Sequence, residues 1–309
     1  RQFTIGEKMT LQQLRQVLTI AESNSMNEAA KKLFVSQPNL SATVREVEEE
    51  LGITVFMRNN RGITVTAEGE EFLGYAKQVV EQYHLLENRY LNVESKKKFS
   101  VSMQHYSFAV KAFVQLAKEV GMDEYEFAVH ETKTKEVIDN VKNLKSEIGV
   151  LYLSDFNEKV LRKLFKECDI EFKELFTCNT YVYLWKKHPL AGKKVITLDD
   201  LQEYPCLTFE QGVNNSFYYA EEMMSTYEYK RVIKADDRAT MLNLMVGLNG
   251  FTLCSGIISE DLNGDDYAAI PLKESEKMHI GYIKHKGTKL SKLGEIYIDA
   301  LKNYENKVL

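Results

Sequence analysis

Gln37, Asn39, Ser41 and Arg45 open a segment in which Leu40, Val44, Val47 and Leu51 recur at helical spacing. That stripe buries one helix face and leaves the amides, the hydroxyl and the guanidinium, with Pro38, on the other. Amides pair with adenine edges, and guanidinium groups with guanine edges or phosphates, so such a face suits a major groove. Arg58 and Arg61 follow in Arg58-Asn-Asn-Arg-Gly62, between two short β-rich runs. A hairpin tip there would hold phosphate oxygens. No catalytic constellation competes: G-x-S-x-G, GxxxxGK[ST], HExxH and dinucleotide-type GxGxxG are all absent, and the six histidines lack metal-ligand spacing. Asp199-Asp200, Asp236-Asp237 and Asp265-Asp266 sit at helix starts or turns, where capping and solvation account for them. An ordinary helical hairpin with a polar face carries the same first pattern, so the surrounding elements decide.

Those elements are compact. Leu11, Leu14, Val17, Leu18 and Ala21 mark a first helix. Met26, Ala29, Ala30 and Leu33 mark a second, with Asn27 as its expected cap and Phe34-Val35 expected to fill the turn after it. Ser36 caps the third helix, and Pro38 is tolerated in a first turn that has no intrahelical N–H bond to lose. Ile53 to Phe56 and Gly62 to Thr66 form the hairpin. Thr66 then caps a long helix in which Phe72, Ala76, Val79, Tyr83, Leu86, Tyr90 and Val93 repeat every three or four residues. A seam of that period buries against another helix in coiled-coil fashion, so Phe72, Val79, Tyr83, Leu86 and Tyr90 are the expected dimer contacts.

Met9 to Ala76 resembles the N-terminal domain of LysR-type transcriptional regulators. The likeness rests on the Ala29-Ala30 pair, Ser36-Gln-Pro-Asn-Leu-Ser41, the Glu50-Leu-Gly52 ending, the Phe56 to Gly62 wing, and Thr66-Ala-Glu-Gly69. Ala42 and Thr43 depart from the family pattern, which often carries basic or amide residues there. The resemblance implies a winged helix-turn-helix over 9–66 and a linker or dimerisation helix over 67–95. It also implies a two-lobed, Rossmann-like effector domain over 96–309, of the type 2 periplasmic-binding-protein kind. It further implies double-stranded promoter DNA with an inverted repeat and a T-N11-A-like core, bound by a homodimer or homotetramer. RNA polymerase is a candidate further partner. The competing class is an α/β binding protein or enzyme that carries a helix-turn-helix.

The rest of the chain alternates strand and helix after a basic break at Ser95-Lys-Lys-Lys98, which suggests a parallel sheet covered by helices. KHPLAG, VGLNGFTLC and SEIGVLY look like family counterparts, and lobe I is expected over about 96–173 and 266–309, lobe II over about 174–265. Glu174 to Trp185 reads as one β-rich run and Ser216 to Tyr227 as a helix. In such domains ligands sit beyond the carboxyl ends of strands. That places Gln104, Ser107, Thr132, Lys133 and Thr134 in one lobe, and Glu210, Gln211 and Ser216 in the other, around a small effector. Hydroxyls, amides, Lys133 and helix N-termini favour a small carboxylate, amino-acid-like or from sulfur metabolism, with Glu210 receiving any ammonium. No cofactor is expected beyond that effector. Binding would close the lobes and shift the dimers on DNA.

The charge fits. The net is −5, and Met9 to Thr66 carries six Lys/Arg against six Glu, with the acids gathered at the far end of the third helix. A DNA-binding protein needs only a basic face. Four dispersed cysteines without CxxC spacing, no apolar run near ~20 residues and no leader pattern suggest a cytoplasmic protein with no membrane span. Met9 reads as the natural start.

Overall fold

The computed structural model describes residues 9–23, 25–59, 62–90, 97–121, 124–214, 216–258 and 264–304, in two compact units, Arg1–Ser95 and Lys96–Leu309. The first unit runs α1 (Leu11–Ala21), α2 (Met26–Lys32), α3 (Gln37–Leu51), β1 (Phe56–Asn59), β2 (Gly62–Val65) and α4 (Ala67–Tyr90). Val17, Ile20, Ala29, Leu40, Val47 and Val55 form its buried centre. Ser25 caps α2 by accepting the Glu28 N–H at 3.2 Å, where Asn27 was the expected cap. Phe34 does not fill the turn: its backbone is left-handed at φ 54°, and its ring is 96% exposed while Val35 packs inward. Gly52 ends α3 in the left-handed conformation that glycine adopts without strain. Thr66 caps α4 as expected, accepting the Gly69 N–H at 2.9 Å.

The heptad seam splits. Phe72 and Ala76 pack onto the unit's own core, with Leu14 of α1, so Phe72 is not a free dimer contact. Val79 (51% exposed) and Leu86 (53%) stay open, with Tyr75 beside them. Tyr83 is partly covered by the Arg15 guanidinium, 5.2 Å from its ring centre. The side chain of Tyr90 lies outside the described residues, as does Val93.

The second unit holds two five-stranded sheets. The first comprises β3 (Lys97–Met103), β4 (Tyr125–Glu131), β5 (Ile148–Leu153), β6 (Ile170–Cys178) and, far along the chain, β12 (Met278–His285), in the order β4-β3-β5-β12-β6. The second comprises β7 (Tyr181–Trp185), β8 (Cys206–Phe209), β9 (Val232–Ala235), β10 (Phe251–Cys254) and β11 (Tyr267–Pro271), in the order β11-β7-β10-β8-β9. Both sheets are mixed, not parallel: β12 runs antiparallel to β5 and β6, and β7 runs antiparallel to β10 and β11. Helices α5 (Ser107–Val120), α6 (Thr134–Lys142), α7 (Glu158–Glu167) and α9 (Lys292–Lys302) accompany the first sheet, and α8 (Arg238–Leu248) the second.

Three expectations change. The run Glu174 to Trp185 is two strands in different sheets, so the chain leaves lobe I at 179–180 rather than near 173. It returns at 272–277 rather than near 266, because β11 still belongs to lobe II. The crossings are bonded together: the Thr180 N–H donates to Ser275 Oγ at 2.7 Å, and Thr180 Oγ1 donates to the Glu276 carbonyl at 2.8 Å. Finally, Ser216 to Tyr227 is not a helix. Only a single 3-10 turn forms at Phe217–Tyr219, because the following residues dive between the lobes and bond there instead of along a helix.

Candidate functional site

In the first unit, Ser36 Oγ accepts the Asn39 N–H at 3.3 Å and Pro38 occupies the first turn of α3. Leu40, Val44 and Val47 are buried, which turns Pro38, Asn39 and Arg45 outward and leaves Gln37 and Ser41 half-buried. Gln37 Nε2 donates to Ser41 Oγ at 2.7 Å, one turn along, which holds the amide against the helix. The backbone of Arg58 pairs with Ile63 across the hairpin. The Arg58 side chain and all of Arg61 lie outside the described residues. Acidic residues that the sequence shows only as charge turn out to be fasteners. Glu48 Oε1 accepts the Val55 and Phe56 N–H groups at 2.7 and 3.0 Å, tying α3 to the start of the wing. Glu46 accepts from Gln13, and Glu50 accepts the Met9 N–H.

In the second unit, three of the polar residues expected around an effector, Gln104, Thr134 and Gln211, are brought together and bond to one another, while Thr132, Lys133 and Glu210 pair with other residues. Gln104 is buried and donates from Nε2 to Thr134 Oγ1 at 2.6 Å, while its Oε1 accepts from the Tyr106 hydroxyl at 2.9 Å. Thr134 Oγ1 donates across the cleft to the Tyr219 carbonyl at 2.7 Å, and the Thr134 N–H donates to Gln211 Oε1 at 3.1 Å. Gln211 Nε2 donates in turn to Glu221 at 2.9 Å. Thr132 donates to Glu136. Lys133 pairs with Asp236, and Glu210 with Lys234, each at 3.6 Å. Ser216 is exposed and its side chain makes no capping bond. Thr134, Gln211 and Lys133 therefore clasp the lobes, and the hydrogen bonds already made by Gln104, Thr134 and Gln211 leave them little to offer a ligand.

A cavity of about 90 Å³ lies beside this clasp, beyond the carboxyl ends of β3, β8 and β10. Of the expected effector residues only Ser107 lines it. Phe108, Met241, Met245, Leu253, Ile257 and Met278 make most of its wall apolar. Its polar part includes Glu221, Glu222, His105, Arg238 and Thr252 beside Ser107 and Ser255. His105 stacks on Phe209 with ring centres 3.6 Å apart and meets Glu221 at 2.8 Å through Nδ1. Arg238 pairs with Glu131 across the lobes. Glu222 accepts the Phe209 N–H at 2.8 Å, and burial, reinforced by neighbouring Glu221, pushes its carboxyl up to about 8. Burial also raises the Cys178 and Cys254 thiols to about 12. Among the described residues no group of three or more His, Cys, Asp or Glu could hold a metal ion.

The family described as "Bacterial regulatory helix-turn-helix protein, lysR family" matches residues 11–70, and the "LysR substrate binding domain" matches residues 104–305. The HTH-type transcriptional regulator CysL of Bacillus subtilis is 25% identical over 308 residues, spanning 96% of this chain and 98% of that protein. BsdA of the same organism is 26% identical over 247 residues, 77% of this chain and 80% of its own. The full-length OxyR C199D structure from Pseudomonas aeruginosa shares the fold, with a TM-score of 0.70 over 96% of each chain at 20% identity. With a winged helix-turn-helix in one unit and a two-lobed α/β domain in the other, each matched by its own family description, the chain belongs to the LysR family of transcriptional regulators, which are DNA-binding proteins and not enzymes.

Proposed function

We propose that the chain binds inverted-repeat promoter DNA as a dimer, with Gln37, Pro38, Asn39 and Ser41 near base edges and Arg45, Arg58 and Arg61 on phosphates. We assign its control to a small effector in the interlobe cavity. The observation that carries the reading is that one chain holds both an outward α3 face and a mostly apolar cavity between clasped lobes. The open stripe of Val79 and Leu86 on α4 supports a dimer, since exposed apolar residues at that spacing seek a second helix. No described helix is long and apolar enough to cross a membrane, and a DNA target favours the cytoplasm. The DNA-bound form would meet RNA polymerase there. An effector between the lobes acts only through a difference in affinity between open and closed states.

The test is a mobility-shift titration at fixed salt on a selected site and on random DNA. Arg45→Ala should weaken both alike and lower the salt slope by about one. Gln37→Ala should lose roughly 1–3 kcal/mol on the selected site alone. Two variants that bind every DNA as the parent does would remove α3 from the interface.

A further inference from the structure

The interlobe cavity has a chemical bias that its apolar wall does not set. Its wall carries two carboxyl groups, Glu221 and Glu222, and the one guanidinium there, Arg238, is already paired with Glu131. His105 donates its backbone N–H to Glu221 and holds the same carboxylate through its ring. A carboxylate entering this space finds no uncommitted cation among the described residues, and it faces the Glu221 carboxylate. Thr252, 6% exposed, also lines the cavity, and its Oγ1 has no hydrogen-bond partner among the described residues. A buried hydroxyl left unpaired is costly, so it marks a place where a bound molecule would bond.

We propose that the cavity takes a small, largely apolar monoamine, its ammonium held by Glu222 and Thr252 and its hydrocarbon by the Met241, Met245 and Met278 side of the wall. The proposal rests on the cavity being the effector site and replaces the small carboxylate with the opposite charge. Methionine suits such a wall because its side chain adapts to the shape of the guest. The proton balance is simple. Near neutral pH Glu222 holds a proton in the empty site, consistent with its raised pKa. When the ammonium arrives, that proton leaves to solvent and a charge-assisted N–H to carboxylate bond forms. The groups around Glu222 do not compete for this role. Glu221 is tied to His105 and Gln211, and the phenols of Tyr106 and Tyr152 are pushed up by burial. Cys206 and Tyr229, which also face it, are likewise raised by burial. Amine affinity should therefore rise as much as tenfold per pH unit between pH 6 and about 8, then level off.

The experiment uses the full chain and three matched pairs of probes: isobutylamine and benzylamine, isobutyrate and benzoate, isobutanol and benzyl alcohol. Calorimetry in buffers of different ionisation enthalpy reads both affinity and protons released. Amines should bind with close to one proton released at pH 7, and Glu222→Gln, which keeps the bond from the Phe209 N–H, should weaken them at least tenfold. Amine binding that is unchanged in Glu222→Gln overturns the proposal. So does equal or tighter binding of the alcohols or carboxylates, or no binding by either amine. Met245→Trp, which fills the cavity, separates this from the broader reading. If alcohols or carboxylates bind and Met245→Trp abolishes it, the cavity stands as a ligand site and only the amine class falls. If a bound probe is indifferent to Met245→Trp in a folded variant, the cavity itself falls.

Discussion

Glu222 carries a stability cost that depends on pH. Its carboxyl moves from an ordinary value of 4.5 to about 8 in the fold, so the folded state holds the proton more tightly. The stability this contributes is complete below pH 4.5 and is lost as pH rises through about 8, at no more than about 1.4 kcal/mol per pH unit. Glu222→Gln removes that loss, so its melting temperature should fall less than the parent's between pH 6 and 9. Parallel curves for the two would show that Glu222 does not titrate in this window. Nothing near Glu222 in the sequence announces its burial, because Ser216 to Tyr227 reads only as a helix. The same blind spot runs the other way for Gln104, Thr134 and Gln211. Polar residues after strands look like ligand donors, and only the three-dimensional arrangement reveals that they bond to each other. The outward α3 residues were readable, because Leu40, Val44 and Val47 at helical spacing leave only one face for them.

At the scale of elements, Gly69 joins α4 to the wing. A Cβ there would lie 2.4 Å from the Val55 carbonyl oxygen, and that backbone is held by Glu48. Gly69→Ala should cost about 1–3 kcal/mol as the helix backs away, read by thermal unfolding. A melting curve that matches the parent's would mean that the wing gives way freely. Val79→Glu with Leu86→Glu places two charges on the open stripe of α4, and sedimentation should then show a smaller species with weaker DNA binding. Unchanged mass and affinity would rule the stripe out as the dimer seam. The helices were legible where periodicity is strong: α1, α2 and α3 fall within a few residues of the sequence reading. β11 and the break between β6 and β7 were not. Tyr267–Pro271 is short and ends in proline, and only the sheet order shows where one β-rich run changes sheets.

At the scale of the whole effector unit, the lobes are clasped by Thr134 to Tyr219, Gln211 to Thr134, and Arg238 to Glu131. Thr134→Val removes the acceptor for a buried Gln104 amide and the donor to Tyr219, and should cost about 1–3 kcal/mol. The measurement is thermal unfolding of the full chain, and no loss would show that the clasp is solvated. The two-lobed plan was implied by the family resemblance, while the alternation of strand and helix indicated only a sheet covered by helices; the crossing points were not legible, since they depend on which strands pair. The position of β12 also bears on synthesis. It lies between β5 and β6, although some hundred residues separate it from β6 along the chain. A ribosome releases the helix-turn-helix before the effector unit and Met278–His285 only after the other strands of its sheet, and chains fold in that order where they can. Until that late strand arrives, β6 has no neighbour and β5 has an open edge. A nascent chain therefore holds a finished DNA reader joined to an unfinished sheet, and a message cut short before Met278 is encoded would release a protein that can never complete that sheet.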